Sequence, residues 1–281
     1  MKGIIISITA VVLVGVSLYF IWAIRAAMRV QMNTVQIMVP VQTPAPGVVP
    51  GAVPFSLKVA VIGDAHVRDT KASFAWFRGV LQQVQSHQPD LILSVGDYVS
   101  NRAQEAHDVV LDAMREIAPI PHVAVLGNHD WGFRHRDRWQ AFEALGLIEN
   151  QVRVLEIKNR RVCIRAIGDV YSGYARYIEF PSSCAGLPQI TVTHDPMGAF
   201  YPSLRGLVFA GHTHCGQVRL PLVGPLWVPT RAPNAARCGL YRDEQRTVFV
   251  TSGVGTSILP IRYGAQAQWD LIELTFVPGS R

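Results

Sequence analysis

The chain has 281 residues, with 26 Lys+Arg against 20 Asp+Glu, and is 49% hydrophobic but only 16% charged. That composition excludes a disordered or solvating chain, which needs low hydrophobicity and high net charge; at about 150 residues per domain the length allows one large domain or two small ones. The net charge of +6 does not point to nucleic acid: Lys2, Arg25 and Arg29, ahead of the first acid at Asp64, hold half of it, and no Lys/Arg-rich run follows, whereas a nucleic-acid surface needs a clustered basic face.

The apolar excess begins at the amino terminus. Gly3 to Ile24 carries no charge; Lys2 precedes it, Arg25 and Arg29 follow it, and Tyr19 and Trp22 lie near one end. A spanning helix needs about 20 apolar residues and places aromatic residues at the interface. A cleaved signal peptide would have a shorter core of about 7–15 residues and a small-residue cleavage site, and IWAIRAAMR makes a poor one. Residues 1–30 are therefore expected to be an uncleaved, single-pass anchor in the cell (inner) membrane. Lys2 and the amino terminus against Arg25 and Arg29 leave the side of the membrane near a tie.

Residues 31–56, uncharged and rich in Pro, Val and Gly, read as an extended linker. From residue 57 to 281 the pattern is that of a folded domain. LKVAVIG, DLILSVG and HVAVLG are short apolar runs ending in glycine, hence buried strands. Between them Phe74, Phe77, Leu81 and Val84, then Val109, Val110, Ala113 and Ile117, recur at helical spacing. Strands alternating with helices imply an α/β fold with a parallel-type sheet. The second half is strand-rich: VRVLEI and RVCIRAIG flank Lys158-Asn159-Arg160 as a hairpin, and QITVTH, GLVFAGH, RTVFVTSG and WDLIELTF follow. A second sheet packed on the first accounts for them.

Chemistry-bearing residues concentrate where strands end, the place where α/β sheets bind ligands. They are Asp64 and His66, Asp97, Asn128-His129-Asp130, His194 with Asp195, and His212 with His214. One such residue alone would read as a cap or a surface group; the whole series in one order does not. Carboxylate, carboxamide and imidazole donors suit Mn, Fe, Zn or Ni better than a thiolate-preferring metal. The donors are too many for one ion, and two ions about 3.5–4 Å apart would use them. His87, His107, His122 and His135 fit no such pattern and read as packing or solvent-facing residues.

The ordered set D-x-H, G-D, G-N-H-D, H and G-H-x-H resembles the calcineurin-like metallophosphoesterases from Leu57 to the carboxyl terminus. With GHTHCGQVRLP and the amino-terminal run, it is most similar to their small bacterial membrane-associated branch, which includes phosphodiesterases and a UDP-2,3-diacylglucosamine hydrolase. The resemblance implies a four-layer α/β/β/α sandwich and two divalent cations, Mn foremost. It implies one metal on Asp64, His66 and His214 and a second on Asn128, His194 and His212, with Asp97 bridging and the attacking water acidified by both. His129 would protonate the leaving oxygen and Asp130 would fix its tautomer. The expected activity is a metal-dependent phosphoesterase acting on a phosphoester or pyrophosphate, a nucleotide-linked lipid being the specific expectation. A general phosphodiesterase or phosphatase on soluble substrates, and a metal-binding envelope protein without turnover, are the alternatives.

Several features depart from this pattern or stay open. Ser100 stands where purple acid phosphatases, which also resemble this family, have a ligating tyrosine; Tyr98, next to Asp97, reads as packing or a cleft wall. Cys163, Cys184, Cys215 and Cys238 allow three pairings. Cys163–Cys184 with Cys215–Cys238 is expected and would need an oxidising compartment; the alternatives for Cys215 are a small buried thiol or a thiolate near the metals. The apolar stretch RLPLVGPLWVP, residues 219–229, either covers the site, touches lipid or packs on the core. Arg68, Arg134, Arg136 and Arg138 are phosphate candidates against the ordinary reading of surface arginines.

Overall fold

The computed structural model describes residues 2–27, 29–41, 54–100 and 104–278, without the side chains of 2–9, 27 and 104. The first part runs α1 (Lys2–Ala27), β1 (Gln31–Val41), β2 (Phe55–Ile62), α2 (Lys71–Ser86), β3 (Leu91–Ser94), α3 (Gln104–Glu116), β4 (His122–Ala124) and α4 (Arg136–Glu143). The second is nearly all strand: β5 (Gln151–Ile157), β6 (Arg160–Ala166), β7 (Gln189–Val192), β8 (Gly206–Ala210), β9 (Arg219–Leu220), β10 (Gly224–Pro225), β11 (Gly239–Arg242), β12 (Arg246–Val250) and β13 (Gln268–Pro278).

Two sheets pack face to face. One has the order β1-β13-β2-β3-β4, with β2, β3 and β4 parallel and β13 antiparallel to β2. The other has the order β11-β12-β8-β7-β6-β5, with β6, β7, β8 and β12 parallel. Their facing sides form one apolar layer that includes Leu57, Val59, Leu93, Ile164, Val192, Phe209, Phe249 and Ile272. The other face of the first sheet is covered by α2 and α3. Thr70 caps α2 by accepting from Ser73 N at 3.1 Å, and Phe77, Val80, Leu81 and Val84 turn inward. The hairpin between β5 and β6 turns at Lys158 and Asn159, both left-handed at φ 52° and 58°, as a type I′ turn requires.

Three expectations change. Residues 31–41, read as the first part of a linker, are β1, paired in parallel with β13 from Gln31↔Gln268 to Val41↔Pro278. Ile37, Val39 and Val41 face the layer between the sheets, and Pro40 is tolerated because an edge strand can lose a donor. Of the rest of the proposed linker, residues 42–53 lie outside the described residues, and Phe55 and Ser56 already belong to β2. The fourth layer is not α-helical among the described residues. The outer face of the second sheet is closed by a 3-10 turn at Pro196–Phe200 and by Tyr177, Tyr201 and Tyr241, because the crossovers into β7 and β8 are broken by Pro181, Pro188, Pro196 and Pro202. Finally, no helix among the described residues is long and apolar enough to cross a membrane, so the fold does not establish the expected spanning helix.

The cysteines form Cys163–Cys184 and Cys215–Cys238, with Cα atoms 5.9 and 4.8 Å apart. The second bridge starts one residue after His214 and so fastens a chemistry-bearing turn to the strand-rich half.

The placement of β1 has a measurable consequence. Ile37 is fully buried, so Ile37→Ala should cost about 2–5 kcal/mol in chemical denaturation; a linker position would change stability by less than about 0.5 kcal/mol.

Candidate metal centre

All the strand-end residues meet at one edge. Asp64 and His66 follow β2, Asp97 follows β3, Asn128 and His129 follow β4, His194 follows β7, and His212 and His214 follow β8. Both sheets present the carboxyl ends of their parallel strands there, so residues far apart in sequence converge between the layers. The turns are tight. Asp64, His66, Asp97, His212 and His214 are all left-handed, at φ 55°, 47°, 56°, 68° and 48°. Each costs about 1 kcal/mol or more and persists only when the surroundings enforce it. Backbone bonds do so here: Asp64 N to Gly96 O at 2.9 Å and His66 N to Asp97 O at 3.0 Å. Two glycines let the carboxylates in. A Cβ on Gly127 would lie 2.2 Å from Asp97 Oδ1, and one on Gly211 would lie 2.8 Å from Asp64 Oδ2.

The donor atoms form interlocking groups: Asp64 with His66 and His214, His66 with Asp97 and His129, and Asp97 with His194 and His212, each group within 4.8 Å. Asp97 Oδ2 lies 3.5 Å from His66 Nε2 and 3.4 Å from His194 Nε2, midway between two imidazole sets. Asn128 Oδ1 is 3.2 Å from His194 Nε2.

These groups fit cations rather than one another. His194 Nδ1–H donates to Val95 O at 2.7 Å and His212 Nε2–H donates to Pro229 O at 2.6 Å. Those carbonyls aim the remaining nitrogens at each other, 3.1 Å apart. When neutral, His194 and His212 therefore turn lone pairs towards each other and repel; a proton or a cation held between them resolves the conflict, with the outer carbonyl bonds fixing the two rings. His66 Nε2 and His214 Nε2 also face each other, at 3.0 Å, but behind His214 Nδ1 stands the Arg262 guanidinium, a donor, in place of a carbonyl.

The electrostatics agree. Burial pushes the Asp64 carboxyl up to about 7, and the Asp97 charge adds to it. Burial would raise Asp97 too, but the His194 and His66 imidazoles hold it well below the usual carboxylate range. Burial lowers His66 to about 3 and His214 well below the ordinary value. For His194 burial is outweighed by Asp97, which raises it well above the ordinary value. A proton on Asp64 and one on His194 therefore occupy the places cations would take.

Asp130 does not orient His129. Its Oδ2 accepts from Asp97 N at 2.7 Å and Gly127 N at 2.8 Å, and its Oδ1 accepts from Tyr98 N at 2.9 Å. This buried carboxylate clamps the β3 turn to the β4 turn and so sets the spacing between Asp97 and Asn128. His129 Nδ1 instead faces Ser100 O at 3.3 Å, and its backbone N donates to Asp97 Oδ1 at 2.8 Å. The ring is half-buried on the cleft wall.

The cleft above the cluster has a volume of about 420 Å³. Its floor is polar, and Tyr171, Leu226, Trp227, Ile258 and Leu259 form its walls. The stretch 219–229 thus borders the site, and the Pro229 bond to His212 fastens its end there. The arginine candidates do not reach the cleft. Arg134 makes a two-pronged pair with Glu149 at 2.7 and 2.9 Å, Arg138 pairs with Asp108, and Arg68 and Arg136 are exposed outside the lining. His107 packs on Phe133, His122 bonds Ser94, His87 meets Trp269 edge-to-face and His135 is exposed. Tyr98 is buried and its hydroxyl donates to Ser94 O and Val125 O, a packing role.

Sequence reasoning missed Arg262. It is 3% exposed, donates from Nη2 to Ser252 O and Gly255 O at 2.7 Å each, and lies 3.0 Å from His214 Nδ1. Burial lowers it only to about 10, so it remains a fixed cation behind His214. A lone arginine in an irregular loop carries no pattern that would mark it.

Cation binding has to displace the protons just described. Its apparent affinity should therefore rise with pH, about tenfold per unit for each proton displaced below pH 7. Calorimetric titration with Mn²⁺ in buffers of different ionisation enthalpy checks this; pH-independent binding without proton release would contradict it.

The family model described as calcineurin-like phosphoesterase matches residues 57–216. The chain is 27% identical over 228 residues to the uncharacterised metallophosphoesterase YkuE of Bacillus subtilis, covering 77% of this chain and 78% of that one. It is 31% identical over 197 residues to the phosphodiesterase YaeI of Escherichia coli, covering 66% of this chain and 71% of that one. A solved dimetal phosphatase from Danio rerio is 13% identical with a TM-score of 0.42, covering 72% of this chain and 88% of that one.

Proposed function

Since this chain belongs to the calcineurin-like phosphoesterase family and is a metal-dependent phosphoesterase, we propose that it is a membrane-anchored phosphodiesterase whose substrate pairs a phosphodiester or pyrophosphate with an apolar portion. The observation that carries this reading is a single cleft with phosphoesterase chemistry on its floor and Leu226, Trp227, Ile258 and Leu259 on its wall. A nucleotide-linked lipid has both parts.

In this reading Asp64, His66 and His214 hold one divalent cation, Asn128, His194 and His212 hold the other, and Asp97 is shared. Its position 3.5 Å from His66 and 3.4 Å from His194 supports the sharing. Mn is the first choice for this donor set, with Fe, Zn or Ni as alternatives. The chemistry supplied by a bound pair is neutralisation of phosphate charge and acidification of the attacking water. The chain's own groups do the rest. The bond to Ser100 O leaves His129 Nε2 to face the cleft, where it protonates the leaving oxygen. Asp130 holds Asp97 and Asn128 at their spacing, and Arg262 backs His214 with fixed charge.

Two features support the membrane part. From Ala10 to Trp22 every side chain of α1 is exposed, including Val11, Leu13, Phe20 and Trp22, and a helix apolar all round belongs inside something apolar. The two disulfides support a domain in an oxidising compartment, on the outer side of the cell membrane. A lipid substrate handled only in the cytoplasm is then disfavoured. A phosphodiesterase acting on soluble substrates is the second reading, and it needs no apolar wall.

Kinetics of the detergent-solubilised full chain with Mn²⁺ separate these. Asp97→Asn should abolish hydrolysis of bis-p-nitrophenyl phosphate. His129→Ala should slow diesters with poor alkyl leaving groups by about 10²–10⁴ and p-nitrophenyl esters far less, since p-nitrophenolate leaves without a proton. Trp227→Ala should raise KM only for diesters bearing an acyl chain. Equal rates in wild type, Asp97→Asn and His129→Ala would sink the catalytic assignment, and an unchanged KM in Trp227→Ala would favour the soluble-substrate reading.

A further inference from the structure

The apolar wall of the cleft continues outward, past its mouth, onto a surface that the hydrolytic chemistry does not use. The short hairpin of β9 and β10 points Leu222 and Val223 into solvent, 108% and 70% exposed. Beside it, Leu226, Trp227, Ile258 and Leu259 are each at least 57% exposed. Scattered exposed hydrophobics are ordinary, but a contiguous patch marks an interaction surface. Leu222 and Ile258, at its tips, are both left-handed at φ 65° and 57°. That backbone is unfavourable for any residue with a branched side chain, and most of all for a β-branched isoleucine. Strain held at an exposed apolar tip points to a use for it.

The two loops are tied into one body. Gln217 Nε2 donates to Ser257 O at 3.0 Å and Leu259 O at 2.9 Å, and Ser257 N donates back to Gln217 Oε1 at 2.8 Å. Tyr263 N donates to Gln217 O and Tyr263 O accepts from Arg219 N. The Tyr263 ring in turn meets Tyr19 of α1 edge-on at 5.8 Å.

Topology places α1 at the same edge. Gln31, just after α1, pairs with Gln268, and Asp270 pairs with Val61 at the carboxyl end of β2. The amino-terminal helix therefore enters the domain beside Asp64, not at the far end. Metal donors, apolar rim and α1 occupy one side of the molecule.

We propose that the rim formed by Leu222, Val223, Leu226, Trp227, Ile258 and Leu259 is a lipid-bilayer contact, so that the cleft opens onto the membrane surface rather than onto bulk water. The occupant is the bilayer because the rim is continuous, through Tyr263 and Tyr19, with the apolar helix; the inference thus rests on the anchor reading given above. The tips would enter the boundary between headgroups and acyl chains, a depth of about 5–10 Å for interfacial elements.

Both native cysteine pairs are bridged, so an introduced thiol can be labelled selectively. The full chain carrying Leu222→Cys, labelled with an environment-sensitive nitrobenzoxadiazole dye, is reconstituted into phosphatidylcholine–phosphatidylglycerol vesicles with or without lipids bearing a doxyl quencher near the headgroup. Arg160→Cys, at the opposite end of the second sheet, is the control. The expected result is flotation with the vesicles, a blue-shifted and doxyl-quenched signal from position 222, and an unshifted, unquenched signal from position 160. Flotation with position 222 as water-exposed as position 160 would overturn the bilayer contact while leaving the anchor intact. Failure to float would overturn the anchor reading and the contact with it. The Leu222→Asp/Val223→Asp double variant, outside the cleft lining, should hydrolyse bis-p-nitrophenyl phosphate normally yet lose activity on a diester embedded in vesicles; equal activity on both would also contradict the proposal.

Discussion

Asp64 and Asp97 are both buried, share a pocket with five imidazoles, and have no lysine or arginine salt bridge among the described residues. Buried charge is tolerated only when it is paired or bound to a metal. The surrounding structure can be read as the means of holding this conflict in place. Left-handed turns bring the ligand side chains over the sheet edge, glycines 127 and 211 make room for the carboxylates, and outer carbonyls from Val95 and Pro229 aim two imidazoles inward. Divalent cations would satisfy the inward-pointing groups together, in place of the protons on Asp64 and His194.

The second sheet supplies the imidazoles of His194, His212 and His214, and the first supplies both carboxylates. The layer between the sheets, from Ile37 to Phe276, therefore does more than stabilise the chain. Sliding one sheet past the other by a single residue spacing would part Asp97 from His194. Asp130 applies the same control within the first sheet, since its carboxylate bonds to Asp97 N, Tyr98 N and Gly127 N and locks two turns to one another. The Cys215–Cys238 bridge and the Pro229 bond extend that control into the loops that wall the cleft.

The donors could be read from the sequence because each follows a short apolar run, so burial, strand direction and chemistry coincide within a few residues. Asp64, Asp97 and His212 are examples. The role of Asp130 could not be read. Its neighbour His129 suggested a side-chain pair, whereas its partners are backbone amides: Gly127 N in its own turn, and Asp97 N and Tyr98 N more than thirty residues away in the chain. Arg262 was invisible for the same reason, since carbonyls are its principal partners and carbonyls leave no trace in a sequence. Strand β1 was hidden by Pro40 and by the absence of charge, although Val35, Ile37, Val39 and Val41 alternate as a half-buried strand should. The outer cover of the second sheet was expected to be helical from a resemblance, and proline-broken crossovers replaced it with 3-10 turns.

The central claim is that the two sheets together build one site for two cations that share Asp97. Metal analysis of the full chain after Mn²⁺ loading and gel filtration tests it directly. The account predicts two ions per chain in the wild type, loss of one in His212→Ala, and loss of both in Asp97→Asn with the fold retained by circular dichroism. A single ion in the wild type, or two ions retained in Asp97→Asn, would contradict it.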